Sequence, residues 1–178
     1  MKIKLLFLFL IIQTSWLMAQ QKPVIAVLNF TDASKQFYLD DLQKSFPSLL
    51  KTELSQRPSL IIVERQKIDD LLKEQNFILS DLSEDTAKQT KVGSLLGADY
   101  VITGDITEAN GQLRVDVAIT RISNGRVVGE KVTGPSKDQA HVMAKVLAQN
   151  IAYQLTGEGQ RLQKLALKGA PASSFLIT

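Results

Sequence analysis

The chain has 178 residues, enough for one domain with an ordinary core. It has no cysteine, which excludes disulfides and thiolate metal sites. Its 21 Lys and Arg against 18 Asp and Glu give a formal charge of +3. Lys2 and Lys4 lie in the leader, and without them the balance is nearly neutral, with no basic run to neutralise nucleic-acid phosphates.

Lys2 and Lys4 precede an apolar run from Leu5 to Ile12, polar Gln13-Thr14-Ser15, and small Ala19. A charged start, a short apolar core and a small residue before the cut predict a signal peptide over 1–19. The run is too short to span a bilayer, which takes about 20 residues. Leu17 is larger than the residue usually found near such a cut, so an uncleaved N-terminal anchor is the alternative. The missing cysteine also removes the lipid-bearing residue of a bacterial lipoprotein. The expected location is therefore the periplasm, not membrane-spanning after cleavage, with outer-membrane association left open.

Val24 to Phe30 is nearly all apolar, as expected of a strand buried on both faces. Tyr38 to Ser55 places Leu39, Leu42, Phe46, Leu49, Leu50 and Leu54 at helical spacing, with Pro47 predicting a kink or a restart. Leu60 to Val63 is strand-like and completes a β-α-β unit with parallel pairing. Arg65 to Gln75 follows as a helix with Ile68, Leu71 and Leu72 on one face. Asp81 to Leu96 is predicted as the next helix, capped by Ser83 or Asp85 and closed by Gly97.

From Tyr100 the period changes to two. Leu113, Val115, Val117 and Ile119 alternate with Arg114, Asp116, Ala118 and Thr120, so one face is buried. Asn110-Gly111 and Asn124-Gly125 are two tight-turn signals, predicting a three-strand antiparallel meander over Tyr100–Thr133. Ser136 and Gln139 form a capping-box pattern before a last helix carrying Val142, Met143, Val146, Leu147, Ile151 and Leu155. Gly157-Glu158-Gly159 ends it. The expected architecture is α/β: a mixed sheet with an N-terminal β-α-β unit, a C-terminal meander and flanking helices. Its parts are a leader over 1–19, a domain over 20–156 and a tail over 157–178.

Little in the chain suggests catalysis. His141 is the only histidine, so zinc sites and Ser-His-Asp or Cys-His machinery are excluded. The pairs Asp40-Asp41, Asp69-Asp70 and Glu84-Asp85 are adjacent on helices and point apart, as solvated faces do. Gly93, Gly97 and Gly104 are too widely spaced for a phosphate loop and fit packing and capping positions. Ser48 and Lys51 match Ser-x-x-Lys, without the other elements such enzymes need. The expectation is no catalytic, cofactor or metal residues. Glu64-Arg65, where a strand feeds a helix, is different: Glu64 is placed to cap, and Arg65 to pin the turn to a carboxylate on the adjoining segment. A structural role there is favoured over a partner-binding one.

Several ordered segments resemble the CsgG family. They are Val24 to Phe30, Ile62-Val63-Glu64-Arg65 with Leu71-Leu72-Lys73-Glu74-Gln75, Leu96 to Gly104, and Val115-Asp116-Val117 through Ser123 to Val128. The resemblance covers about Pro23–Leu155 and implies a fold shared with the curli secretion channel and with LpoB, the activator of penicillin-binding proteins. It implies a compact α/β domain used for assembly or protein contact, without catalysis. Asp99, in Gly97-Ala98-Asp99, joins Glu64 and Arg65 as a candidate partner or structural residue.

The chain departs from the channel in two ways. It lacks the lipoprotein cysteine, and its strands are joined by bare Asn-Gly turns instead of long barrel hairpins. The expected function is protein contact in envelope assembly or secretion, with envelope proteins or a second copy as partner and no nucleic acid. Docking is expected through a sheet edge or the helix starting at Arg65. The alternatives are an LpoB-like activator of a peptidoglycan synthase or a ring subunit of an export complex. An enzyme using exposed carboxylates on a small ligand or glycan is the rival from another class.

Overall fold

The computed structural model describes residues 21–32, 39–76, 82, 85–109 and 111–159. The expected leader over 1–19, most of the tail, and the expected positions of Tyr38, Asp81, Ser83 and Asn110 lie outside these residues.

Five strands form one mixed sheet in the order β2-β1-β3-β4-β5. Strand β1 (Val24–Asp32) runs parallel to β2 (Ile61–Ile62) on one side and to β3 (Tyr100–Ala109) on the other. Strands β3, β4 (Gln112–Arg121) and β5 (Val127–Gly134) form the expected antiparallel meander. The β-α-β unit is present too, although its second strand shrinks to two residues.

Because β1 is central, both of its faces are consumed. Ile25, Val27 and Phe30 pack into one core, while Ala26 and Leu28 pack into the other. Strict alternation would put Asn29 with Ile25 and Val27. A one-residue register shift between Val27 and Phe30 brings Phe30 to that side instead. There its ring meets Phe46, with centroids 5.5 Å apart.

Helix α1 (Asp40–Ser55) carries Asp40 and Asp41 in its first turn, where they oppose the helix dipole. It runs through Pro47 without restarting, contrary to one reading of the sequence. A mid-helix proline costs about 3 kcal/mol. Burying Phe46 and Leu50 completely, on either side of it, contributes about 1.5–3 kcal/mol each and offsets that cost.

Helices α2 (Arg65–Glu74) and α3 (Thr86–Leu96) cover the opposite face, through Ile68, Leu72, Val92 and Leu96. Asp85 caps α3, accepting from the Ala87 and Lys88 amides at 2.9 and 3.1 Å. Gly97, at φ +66°, closes it as expected. Helix α4 (Ala140–Thr156) packs beside α1. The expected capping box does not form. Ser136 makes no side-chain capping bond, because a 3-10 turn over Lys137–Gln139 intervenes and α4 starts only at Ala140.

The two Asn-Gly signals differ in outcome. Ala109 pairs with Gln112 and Gly111 has φ +74°, so β3 and β4 are joined across two residues as expected, with Asn110 outside the described residues. The second signal is not a two-residue turn. The Arg121 amide donates to the Arg126 carbonyl at 2.8 Å, enclosing a four-residue loop, and the Gly125 amide donates to the Arg121 carbonyl. Only Gly125 of the pair has positive φ, whereas a two-residue turn of the Asn-Gly type needs it at both positions. This sets Asp116 opposite Lys131; a two-residue Asn124-Gly125 turn would have set it opposite Thr133.

Candidate functional site

The three residues singled out from the sequence do different work. Glu64 precedes α2 in an extended conformation but makes no side-chain capping bond. Arg65 does not reach an adjoining segment; its Nε pairs with Asp69 at 3.0 Å, one turn along the same helix. The link from this joint across the structure is Lys67, whose Nζ donates to the Leu96 carbonyl at 3.2 Å. Asp99 is a genuine tie. Its carboxylate accepts from the Val24 amide at 2.8 Å, its amide donates to the Val24 carbonyl, and its carbonyl accepts from the Ile122 amide. It therefore fixes where β1 begins against the α3–β3 joint. Among the described residues no hydrogen bond or ion pair joins Asp99 to Glu64 or Arg65.

The expected docking helix offers little. The apolar residues of α2 are committed to the core, leaving charged residues outside. The sheet edge fares better, because β5 spans eight residues and, among the described residues, pairs only with β4.

The more distinctive surface is the outer face of the meander. On the inner side Leu113, Val115, Val117 and Ile119 are buried beneath α1 and α4. On the outer side α3 reaches Thr120, through a buried Thr120–Gln89 hydrogen bond of 2.5 Å, and Gly93 lies against Ile122 and Val101. Further along the strands no helix among the described residues covers the face. Thr31, Asp105, Asp116 and Lys131 form one cross-strand row over β1, β3, β4 and β5. The Thr31 hydroxyl donates to Asp105. Arg114 grips Asp116 with two bonds, Nε to Oδ2 at 2.6 Å and Nη2 to Oδ1 at 2.5 Å. That hydrogen bond, with the charge behind it, raises the Arg114 pKa above its ordinary value.

Beside the row, Ala118 and Gly129 face each other across β4 and β5. They floor a shallow depression of about 260 Å³ walled by Asp105, Asp116 and Lys131. Its chemistry is that of contact: opposed charges around a small-residue floor, able to receive a protruding side chain. The strand alternation already put Arg114 and Asp116 on the polar face. Asp105 and Lys131 were missed. The two-residue turn at Asn110-Gly111 sets Asp105 opposite Asp116 by simple counting, so the first was recoverable; Lys131 needed the true β4–β5 register.

His141 is exposed, as expected of a surface helix residue. Among the described residues no group of three or more His, Asp or Glu is placed to hold a metal ion.

The fold and this surface define a mixed-sheet α/β scaffold with one half-face that the described residues leave uncovered. The profile of the family described as "Curli production assembly/transport component CsgG" matches residues 8–149. The chain belongs to the CsgG family. Comparison with curated protein sequences gives no match. Among solved structures, the chain is similar to the LpoB C-terminal domain from Salmonella enterica at 15% identity, with TM-score 0.50, over 67% of this chain and 90% of that one. It is similar to lipoprotein GNA1162 from Neisseria meningitidis at 12% identity, with TM-score 0.52, over 78% and 99%. A third likeness, to TolB from Acinetobacter baumannii, has 16% identity and TM-score 0.51 over 78% of this chain but 29% of that one. At these identities the likeness is one of fold.

Proposed function

We propose that the chain is an exported, non-enzymatic CsgG-family protein of the periplasm that acts by protein–protein contact in envelope assembly or secretion. The observation that carries this reading is the outer face of β3, β4 and β5, which no described helix covers, bounded by the edge of β5, which no described strand pairs. An antiparallel sheet can leave one face to water. Here the face also has a floor of Ala118 and Gly129 between charged walls, which suits a partner's side chain better than water alone.

The family description, of a curli assembly and transport component, supports the location, as does a lipoprotein among the fold relatives. The strands also bear on the curli-type channel. Strands β3 and β4 have ten residues each, long enough to cross an outer membrane, but their apolar faces are spent on α1 and α4. The reading is therefore an export or assembly component without barrel hairpins of its own from this meander. No helix among the described residues is long and apolar enough to cross a membrane.

A tagged full-length chain recovered from crosslinked periplasm tests the proposal. A defined protein partner is expected, and Ala118→Arg, which fills the floor, removes it. Hydrolase activity of the purified chain with no partner recovered overturns the reading. Light scattering and the partner's identity separate the two variants of the same idea. A multimer in isolation indicates a ring subunit; a monomer that captures a peptidoglycan synthase indicates an LpoB-like activator.

A further inference from the structure

At the end of the sheet opposite the uncovered face's acidic row, the four-residue loop after β4 sets Arg121 and Arg126 side by side through their backbone bond. Both are exposed. The Arg121 guanidinium lies over the Tyr100 ring, 5.2 Å from its centroid, and this stacking leaves its N–H groups free to donate. The Arg126 amide is held by the Asn124 side chain at 3.1 Å, which fixes the loop that carries it. Among the described residues neither guanidinium has a carboxylate partner, in contrast to Arg65 and Arg114.

Two adjoining cavities, of about 510 and 190 Å³, share Tyr100, Arg121 and Leu155. The larger is also lined by Gln21, Pro23 and Asp99, whose carboxylate accepts from the Val24 amide, and Leu155 belongs to the last turn of α4. The domain's first and last elements thus meet at this cleft.

The charge along the chain is divided in the same way. Residues 21–159 hold sixteen Lys and Arg against eighteen Asp and Glu, so the folded part is slightly acidic. The flanking sequences hold only cations: Lys2 and Lys4 before it, and Arg161, Lys164 and Lys168 after it, the last three interspersed with Leu162, Leu165 and Leu167. The tail's three cations follow α4 in the chain, and the last turn of α4 lines the Arg121 cleft. An acidic body with basic, leucine-bearing ends complements an anionic bilayer surface. The leucines interspersed among the tail's cations favour a lipid surface over an acidic protein.

We propose that this end of the domain faces the membrane and that the Arg121–Arg126 cleft takes the phosphodiester headgroups of anionic phospholipids. The inference rests on the export reading only for its setting; it uses a different surface from the one proposed for protein contact.

The test is co-sedimentation of the full-length chain with vesicles of phosphatidylcholine alone and of phosphatidylcholine mixed with phosphatidylglycerol. Each basic residue at an anionic surface contributes about fivefold to partitioning, so Arg121→Ser with Arg126→Ser should weaken binding to the mixed vesicles about thirtyfold. Binding to neutral vesicles should not change. Arg114→Ser with Lys131→Ser removes the same charge from the uncovered face and should leave the preference intact. Arg126→Ser alone, at an exposed side chain, supplies a single-site measurement if the double variant does not fold. Equal binding by the Arg121/Arg126 variant, or an equal loss in the Arg114/Lys131 variant, overturns the proposal. So does displacement of the chain from vesicles by an acidic protein that crosslinks to position 126. Loss of the lipid preference with partner capture through Ala118 unaffected would leave the contact function standing.

Discussion

Gly104 and Gly129 offer the same substitution in the same sheet with opposite expected results. Gly104 lies on β3, opposite Val117 of β4 and beside Phe30 of β1. A Cβ there would stand 2.7 Å from the Asp116 carbonyl oxygen, and 2.7 and 2.9 Å from two Phe30 ring carbons. The Phe30 ring can yield slightly, but the carbonyl belongs to the β3–β4 ladder and moves only if that pairing distorts. Overpacking of this kind costs about 1–3 kcal/mol, and the fixed backbone atom puts Gly104→Ala near the upper figure. For a domain of this size that lowers Tm by about 10 °C. A Cβ at Gly129 meets nothing closer than the Val117 carbonyl at 3.8 Å, an ordinary contact. Gly129→Ala should therefore stay within about 0.5 kcal/mol of the parent. Urea and thermal unfolding followed by circular dichroism measure both. Equal stabilities for the two variants would refute the packing argument, and with it the placement of Phe30 by the β1 bulge.

Four further perturbations test other joints. Asp85→Ala removes the α3 cap and should cost about 1 kcal/mol in the same unfolding assay, with Asp85→Asn retaining most of it. Asp99→Ala removes the acceptor for the Val24 amide at the start of β1; a loss of about 1 kcal/mol is expected, together with faster amide exchange at Val24. Asp69→Asn breaks the half-exposed pair with Arg65 and should change stability by less than about 0.5 kcal/mol. Phe46→Ala empties the contact with Phe30 and should cost about 3–5 kcal/mol, visible as a lowered urea midpoint at unchanged slope.

The fold was largely legible because its main elements announce themselves by period. The unbroken apolar run of Val24–Phe30 declared a strand buried on both faces, and the alternation from Leu113 to Ile119 declared one buried on a single face. Asp85 and Gly97 marked the ends of α3 through local backbone chemistry. What local pattern missed was decided by tertiary context. Pro47 is held within α1 by the burial of its neighbours. The bulge that turns Phe30 inward answers to space around Gly104. Arg65 found a carboxylate on its own helix before it could reach another segment. The second Asn-Gly looked like the first, yet only one of its residues adopts positive φ, and the resulting register decides which cation faces Asp116. The contact face was half visible for that reason: Arg114, Asp116 and Asp105 follow from alternation and one turn, whereas Lys131 depends on the other.

The central claim is that the outer face of β3, β4 and β5 is where this protein meets its partner. A photo-crosslinking residue placed in cells at Ala118, at Lys131 and, as a control, at exposed Asp70 on α2 tests it most directly. The account predicts a discrete product of one partner, or of a second copy, from positions 118 and 131 and none from 70, with a stoichiometric complex on purification. Equal products from all three positions, or products from position 70 alone, would contradict it.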